Sequence, residues 1–555
     1  MPIIILTSYY LFILIPIIGF GYFFSRILYL NISRKDVMMF GLLGVIALTF
    51  ISYLTNIFFA HDFTHNIFIY LVGLFFFIYA LTKNKIDKTS FIKILFIAFI
   101  LLILSLLSKT HDDFGWYHLP YTLNISQNKF QFGLGAFNHG FRTPSSLFYL
   151  NSLFYFPIIK FYSFNFAQLY IFLFGLIYFY KTTFNKFNSN ALTFFYSLLA
   201  FIFVIVVFYR LGEHGTDRSG QLIIFIVIIF VLEIIKDKSL DFNKINLLII
   251  FLTYIITTKT YFIIFAILFL PILFKFNNDF RLYKKIIFSR VVLFSLIFLL
   301  MHFSIQLANT GCLFYPMNFT CIPNLSWSIN EEEIIWMAQH YELWAKSGVN
   351  PNFRIENESE YIENFNWVSR WFSEYFFTKV SDTILGIITI LLICYFSFKN
   401  KSKKYILNYK KEINILLLCI FITLAIWFTK FPQLRYGGYV IAANIFFLPF
   451  CIYIFNFKLN KKIFRRAKVL VAISIIVFSS RNINRLIHEI EFYNYKPLKN
   501  TYFRIEKPKY EEKMLNDSVI LNKTDSACWS IPQPCARSAT IQAKKIKNYI
   551  IYWRE

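Results

Sequence analysis

Apolar stretches of about 20 residues, the length that crosses a bilayer as a helix, recur along this chain from Ile3 to about Ile476, separated by short polar connectors. The pattern predicts spans near residues 3–25, 37–59, 66–82 and 91–108, and then near 162–180, 190–209, 219–235, 246–258, 261–275, 286–307, 382–398, 412–429, 437–456 and 467–480. The run Ser145 to Pro157 is apolar but short and ends in proline, and a full span there would carry Lys181 and Lys186 to the opposite side. It is therefore expected to be a re-entrant or interfacial helix. The expected fold class is all-α, a polytopic membrane protein of about 14 transmembrane helices. The multi-span domain covers residues 1–480, with large outer loops at 109–161 and 308–381, and residues 481–555 form a small polar tail.

Basic connectors orient this threading. Arg26 to Lys35, Lys83 to Lys93, Lys236 with Lys238 and Lys244, Lys284 with Lys285, Lys399 to Lys411, and Lys458 to Lys468 all fall on one side, which the positive-inside rule makes cytoplasmic. The first apolar run has no basic leader and no small-residue cleavage site, so it is expected to be a retained span. Loops 109–161 and 308–381 and the tail then face outward, as expected of a multi-pass protein of a bacterial inner membrane with a periplasmic working face. The net charge of +26 accompanies 72 Phe and 36 Tyr, a compositional bias that inflates aromatics and lysines together, so it gives no reason to expect a nucleic-acid partner. Cys312 with Cys321 and Cys528 with Cys535 are closely spaced disulfide candidates on the outer side, whereas Cys394, Cys419 and Cys451 lie inside apolar runs.

Chemistry-bearing residues collect in the outer loops. Asp112 and Asp113 follow an apolar run directly, and because carboxylates beside hydrocarbon are costly unless solvated or paired, the pair marks a candidate functional site. Either could accept a proton from a hydroxyl, and because neighbouring helical residues point about 100° apart, the two are expected to have separate partners. Tyr117 and His118 lie about one turn further on, suited to a sugar or phosphate. Arg142 offers planar donors for a phosphate or an anchor at the headgroups. Glu213, His214 and Asp217 could bind a divalent ion or form a salt-bridged turn with Arg210 and Arg218. Lys259, a lone cation between two apolar runs, favours a bound anion, and Arg435 follows a proline-broken turn where it could grip a lipid phosphate.

Taken jointly, these motifs resemble the GT-C type of integral-membrane glycosyltransferase, and most of all a group of bacterial membrane proteins with an Asp-Asp-Phe plus Tyr-His-Leu-Pro outer loop. The shared elements are Asp112 to Phe114, Tyr117 to Pro120, the Glu-x-Gly-Thr-Asp turn ending at Asp217, Gly311 to Pro316 and Pro432 to Tyr436. The superfamily usually carries its acidic loop after the first span, whereas about three further spans precede it here. The resemblance implies transfer of a sugar from a polyprenyl-phosphate carrier to a glycan, lipid or protein acceptor, with inversion. Asp112 or Asp113 would act as base, and Arg435, Lys259 and Arg142 would hold the phosphate. It implies no certain cofactor and leaves a divalent metal open. The competing expectations are a lipid-linked glycan flippase, which breaks no bond, and an oligosaccharide polymerase or ligase.

Overall fold

The computed structural model describes residues 3–106, 108–185, 191–213, 215–237, 241–276, 280–348, 355, 357–399, 410–454, 459–499, 503–515, 519–537 and 540–554. His214 of the expected outer motif, and Lys186, Lys238, Lys458 and residues 400–409 of the expected inner connectors, lie outside them. Among the described residues, eight helices are long and apolar enough to cross a membrane: Ile3–Ile27, Val37–Asn56, Phe63–Thr82, Phe161–Phe184, Asp217–Lys236, Arg290–Thr310, Val368–Phe398 and Lys410–Lys430. Four shorter apolar helices, Ala191–Val207, Phe242–Thr258, Thr260–Lys275 and Gly438–Ile454, stand with them. The protein is thus predominantly helical, with the composition of a multi-pass membrane protein.

Burial separates the inner helices from the outer ones. The apolar windows of Val37–Asn56 and Asp217–Lys236 are 83% and 89% buried by protein, against 33% and 22% for Phe63–Thr82 and Val368–Phe398. A helix that is apolar all round yet mostly uncovered suits lipid, whereas the first two form the protein interior. The segment Ser145 to Pro157 folds as a short buried helix, Ser146–Ser152, capped by the Ser145 hydroxyl accepting from Leu147 N–H. The same hydroxyl donates to the Thr258 carbonyl at 2.7 Å, which ties this helix to the residue before Lys259.

The tail departs from the all-α expectation. Glu511–Leu515 pairs antiparallel with Val519–Lys523, which takes Cys535–Ala536 as a parallel neighbour, and Ile541–Ile546 forms a hairpin with Tyr549–Arg554. Val519 and Leu521, and Ile541 and Ala543, are buried at alternate positions, a period of two that a search for long apolar runs overlooks. The boundary at residue 480 also moves, because the helix Lys461–Tyr493 runs straight through it. Beyond the apolar stretch it is stabilised by Arg485 paired with Glu489 one turn on, at 2.8 Å.

This tail is built into the outer loops. Phe132 N–H donates to the Ile550 carbonyl and Tyr552 N–H to the Phe132 carbonyl, each at 3.0 Å, so the hairpin extends onto loop 109–161. Glu489 accepts from Ser108 N–H at 2.7 Å, and Trp529 N–H donates to the Gly115 carbonyl at 2.9 Å. Gly115 is required there, since a Cβ would lie 2.3 Å from the Trp529 ring. Disulfides join Cys312 to Cys321 and Cys528 to Cys535, the second closing the loop that carries Trp529.

Candidate functional site

Asp113 and Asp112 go to different places. After Asp113 the chain makes one wide helical turn, Phe114–His118, a distortion frequent at functional sites. The turn brings the Tyr117 hydroxyl to donate to Asp113 Oδ2 at 2.9 Å. His111 Nδ1 accepts from Asp113 N–H at 3.1 Å, and Arg435 Nη2 stands 3.5 Å from the same carboxylate oxygen. Asp112, with its side chain 89% exposed, meets among the described residues only the exposed Lys109 at 3.5 Å, a surface pair of little energetic weight.

A second carboxylate faces Asp113 across Arg435. Asp217 opens the helix Asp217–Lys236, where the helix dipole favours negative charge. It accepts from Lys259 Nζ at 2.5 Å and from Arg435 Nε at 3.1 Å. Lys259 follows the last turn of Phe242–Thr258, where the dipole favours a cation, and its ammonium lies 4.1 Å from the centre of the Tyr436 ring. The turn that carries Arg435 is clamped on both sides. Tyr375 accepts from Leu434 N–H at 2.7 Å, Gln221 donates to the Leu434 carbonyl at 3.1 Å, and Trp371 donates to the Pro432 carbonyl at 2.8 Å. Residues from four distant stretches of chain thus form one charge network, Asp113–Arg435–Asp217–Lys259.

Burial pushes the Asp113 carboxyl up, but Arg435, His111, His118 and the Tyr117 hydroxyl together hold it below the usual carboxylate range. It is ionised at neutral pH. Burial pulls Lys259 down more than Asp217 restores, leaving it at about 8, so its charge is easily lost.

The network borders a cavity of about 300 Å³. Arg435, Asp217 and His111 line it, and so do Arg218 and Lys379, which stand against aromatic rings and, among the described residues, have no carboxylate partner. The cavity therefore presents two uncommitted cations beside the paired ones, an arrangement for an anionic group. Lys379 was not apparent from sequence: it sits in the acidic outer segment, and the local pattern gives no sign that it turns toward Arg435.

The other expected residues separate. Glu213 lines the cavity but is paired with Arg210, and Asp217 is occupied by Lys259 and Arg435, so neither stands free for a divalent ion. Arg142 is fully buried, donates to Tyr315 Oη at 2.7 Å and the Gly135 carbonyl at 3.2 Å, and is paired with Glu333. Its donors are spent on protein, which corrects the expectation that it holds a phosphate. His118 is buried with its ring stacked on His111 at 5.7 Å. His111, Asp113 and His118 have ligand atoms within 4.8 Å of one another, a His–Asp–His donor set that suits zinc or manganese better than magnesium.

Fold and site together define a predominantly helical, multi-pass membrane protein with a charged cavity where its loops meet. The chain belongs to a family described as a domain of unknown function, DUF8201, whose model matches residues 1–442 and so takes in Asp113, Asp217, Lys259 and Arg435. No curated protein and no solved structure matches it.

Proposed function

We propose that the protein is an inverting membrane glycosyltransferase of GT-C type, with about 14 spans in a bacterial inner membrane and its cavity on the periplasmic face. It takes a sugar from a polyprenyl-phosphate donor. The observation that carries this reading is the placement of Asp113, an ionised and partly buried carboxylate, beside Arg435 at a cavity with uncommitted cations. Asp113 Oδ accepts the proton of an acceptor hydroxyl as that oxygen bonds to the anomeric carbon. The bond from that carbon to the phosphate oxygen breaks, its electron pair stays on the phosphate, and Arg435, Arg218 and Lys379 stabilise the developing charge. A base weakened by its cationic neighbours suffices, because the phosphate leaves readily. Asp112 points to solvent and has no part in the reaction.

The test is transfer of radiolabelled sugar from a defined polyprenyl-phosphate sugar by protein in nanodiscs. Asp113→Asn should lower the rate by about 10²–10⁴-fold with donor binding retained, and Asp112→Asn should leave it within about twofold. Equal activity in both variants would refute the assignment. A flippase would move the lipid-linked glycan between leaflets without forming a glycosidic bond, and the same assay separates the two.

A further inference from the structure

The helix Glu331–Lys346 in outer loop 308–381 carries an exposed aromatic row that the charge network does not use. Trp336, His340 and Trp344 lie four residues apart, so they stack along one helix face over about 12 Å. The Trp336 and His340 ring centres are 4.9 Å apart and nearly parallel, and His340 and Trp344 are 5.9 Å apart. His139 continues the row at 6.5 Å from Trp336. Trp336 is 47% and Trp344 41% exposed, and among the described residues neither indole N–H donates to a protein group.

Two features separate this row from a scatter of surface aromatics. Trp344 itself lines the cavity, so the row ends at Arg435 and Asp217. The helix is also fixed at both ends: Glu333 is paired with buried Arg142, and Gln433 donates to the Trp344 and Gly348 carbonyls at 2.7 Å each. Exposed Glu332 and Gln339 flank the rings with hydrogen-bonding groups, which argues for a polar ligand over acyl chains. Sugar rings match such a surface. Their C–H faces lie on the electron-rich faces of aromatic rings, while their hydroxyls bond to amide, carboxylate and indole N–H groups.

We propose that this row is the binding track of the acceptor, and that the acceptor is a carbohydrate chain of several sugar units whose terminal hydroxyl enters the cavity beside Trp344. The proposal rests on the glycosyltransferase reading for the identity of the acceptor, but the binding it predicts can be observed without transfer. The experiment uses the full chain in nanodiscs on an array of bacterial surface oligosaccharides, comparing wild type, Asp113→Asn and Trp336→Ala/Trp344→Ala. Wild type and Asp113→Asn should retain the same glycans, with the double variant weaker by at least tenfold. If no glycan is retained, or if the double variant retains them equally, the track is refuted. Glycan binding by wild type with no transfer activity would keep the track and overturn the transferase instead. A second measurement covers the lipid alternative. Nanodiscs of brominated phosphatidylcholine should quench wild type and Trp336→Phe/Trp344→Phe by the same fraction, and quenching that depends on the two tryptophans would place the row in the bilayer and overturn the proposal.

Discussion

Replacing Asp217 by asparagine removes the one carboxylate shared by Lys259 and Arg435, whose nitrogens lie 2.5 and 3.1 Å from its oxygens. Only 16% of the Asp217 side chain and 18% of the Lys259 side chain are exposed, so the loss leaves Lys259 with little water to compensate, whereas Arg435 is 40% exposed and keeps Asp113 at 3.5 Å. Breaking a fully buried pair from one side costs about 3–5 kcal/mol, and the water and the second carboxylate at Arg435 reduce this to about 2–3 kcal/mol. The two cations cannot share that cost equally. Lys259 already titrates at about 8 and can drop its proton near neutral pH, which caps its share at about 1.4 kcal/mol at pH 7, one unit of pKa. Arg435 cannot lose its proton and, with Asp113 and water still beside it, bears the remaining ~1–2 kcal/mol. In the Asp217→Asn background, Arg435→Gln should therefore restore about 1–2 kcal/mol, and Lys259→Met about 1 kcal/mol. Thermal unfolding in nanodiscs, followed by intrinsic fluorescence across the four variants, measures this. The lysine also supplies a pH signature. Its folded pKa, about 8, lies below the unfolded value of 10.5, and losing Asp217 lowers it further; between the folded and unfolded values the unfolded chain binds more protons, so that window opens below pH 8 in Asp217→Asn, which should be weaker at pH 5.5 than at pH 8.5. If Lys259→Met rescues more than Arg435→Gln, or if Asp217→Asn costs less than about 1 kcal/mol, the charge accounting is wrong.

Transfer by the wild type should fall as pH rises through about 8, where Lys259 loses its charge, while the acid limb should sit below the usual carboxylate range because Asp113 is held down; Lys259→Met should abolish the basic limb in an initial-rate profile. Arg142→Met should destabilise the outer loops by about 2–3 kcal/mol by leaving Glu333 to Arg554 alone, at 3.7 Å, and Arg142→Met with Glu333→Leu should recover part of that loss in the same melts. Trp529→Ala should expose loop 109–161 to limited proteolysis and lower transfer, and Cys528→Ser with Cys535→Ser should do the same more mildly; an unchanged cleavage pattern would show that the tail does not brace the loop.

The helical membrane part was legible because about 20 unbroken apolar residues can do little else, and the two aspartates were legible as unlike because adjacent helical positions diverge. Their division into one solvated carboxylate and one held by Arg435 was not, since Arg435 stands 322 residues further along the chain. Arg142 illustrates the same blindness from the other side. In sequence it is a cation after a loop and fits a phosphate, but Glu333, which occupies it, comes from a distant helix that no local pattern connects to it. Lys259 was expected to hold a bound anion, and the anion it meets in the structure is the carboxylate of Asp217. The tail strands escaped notice because their alternation runs for five or six residues, too short to stand out beside long apolar runs.

The braces on the acidic loop carry a consequence for the order of events in the life of the molecule. Asp113 is synthesised early, but the groups that fix its loop, Glu489 on Ser108 and Trp529 on Gly115, are among the later residues to leave the ribosome. A chain interrupted before Trp529 would hold every charged residue of the network and lack the splint that sets the Asp113 turn. The Asp113 turn would then be set only once Trp529 had been made and seated on Gly115.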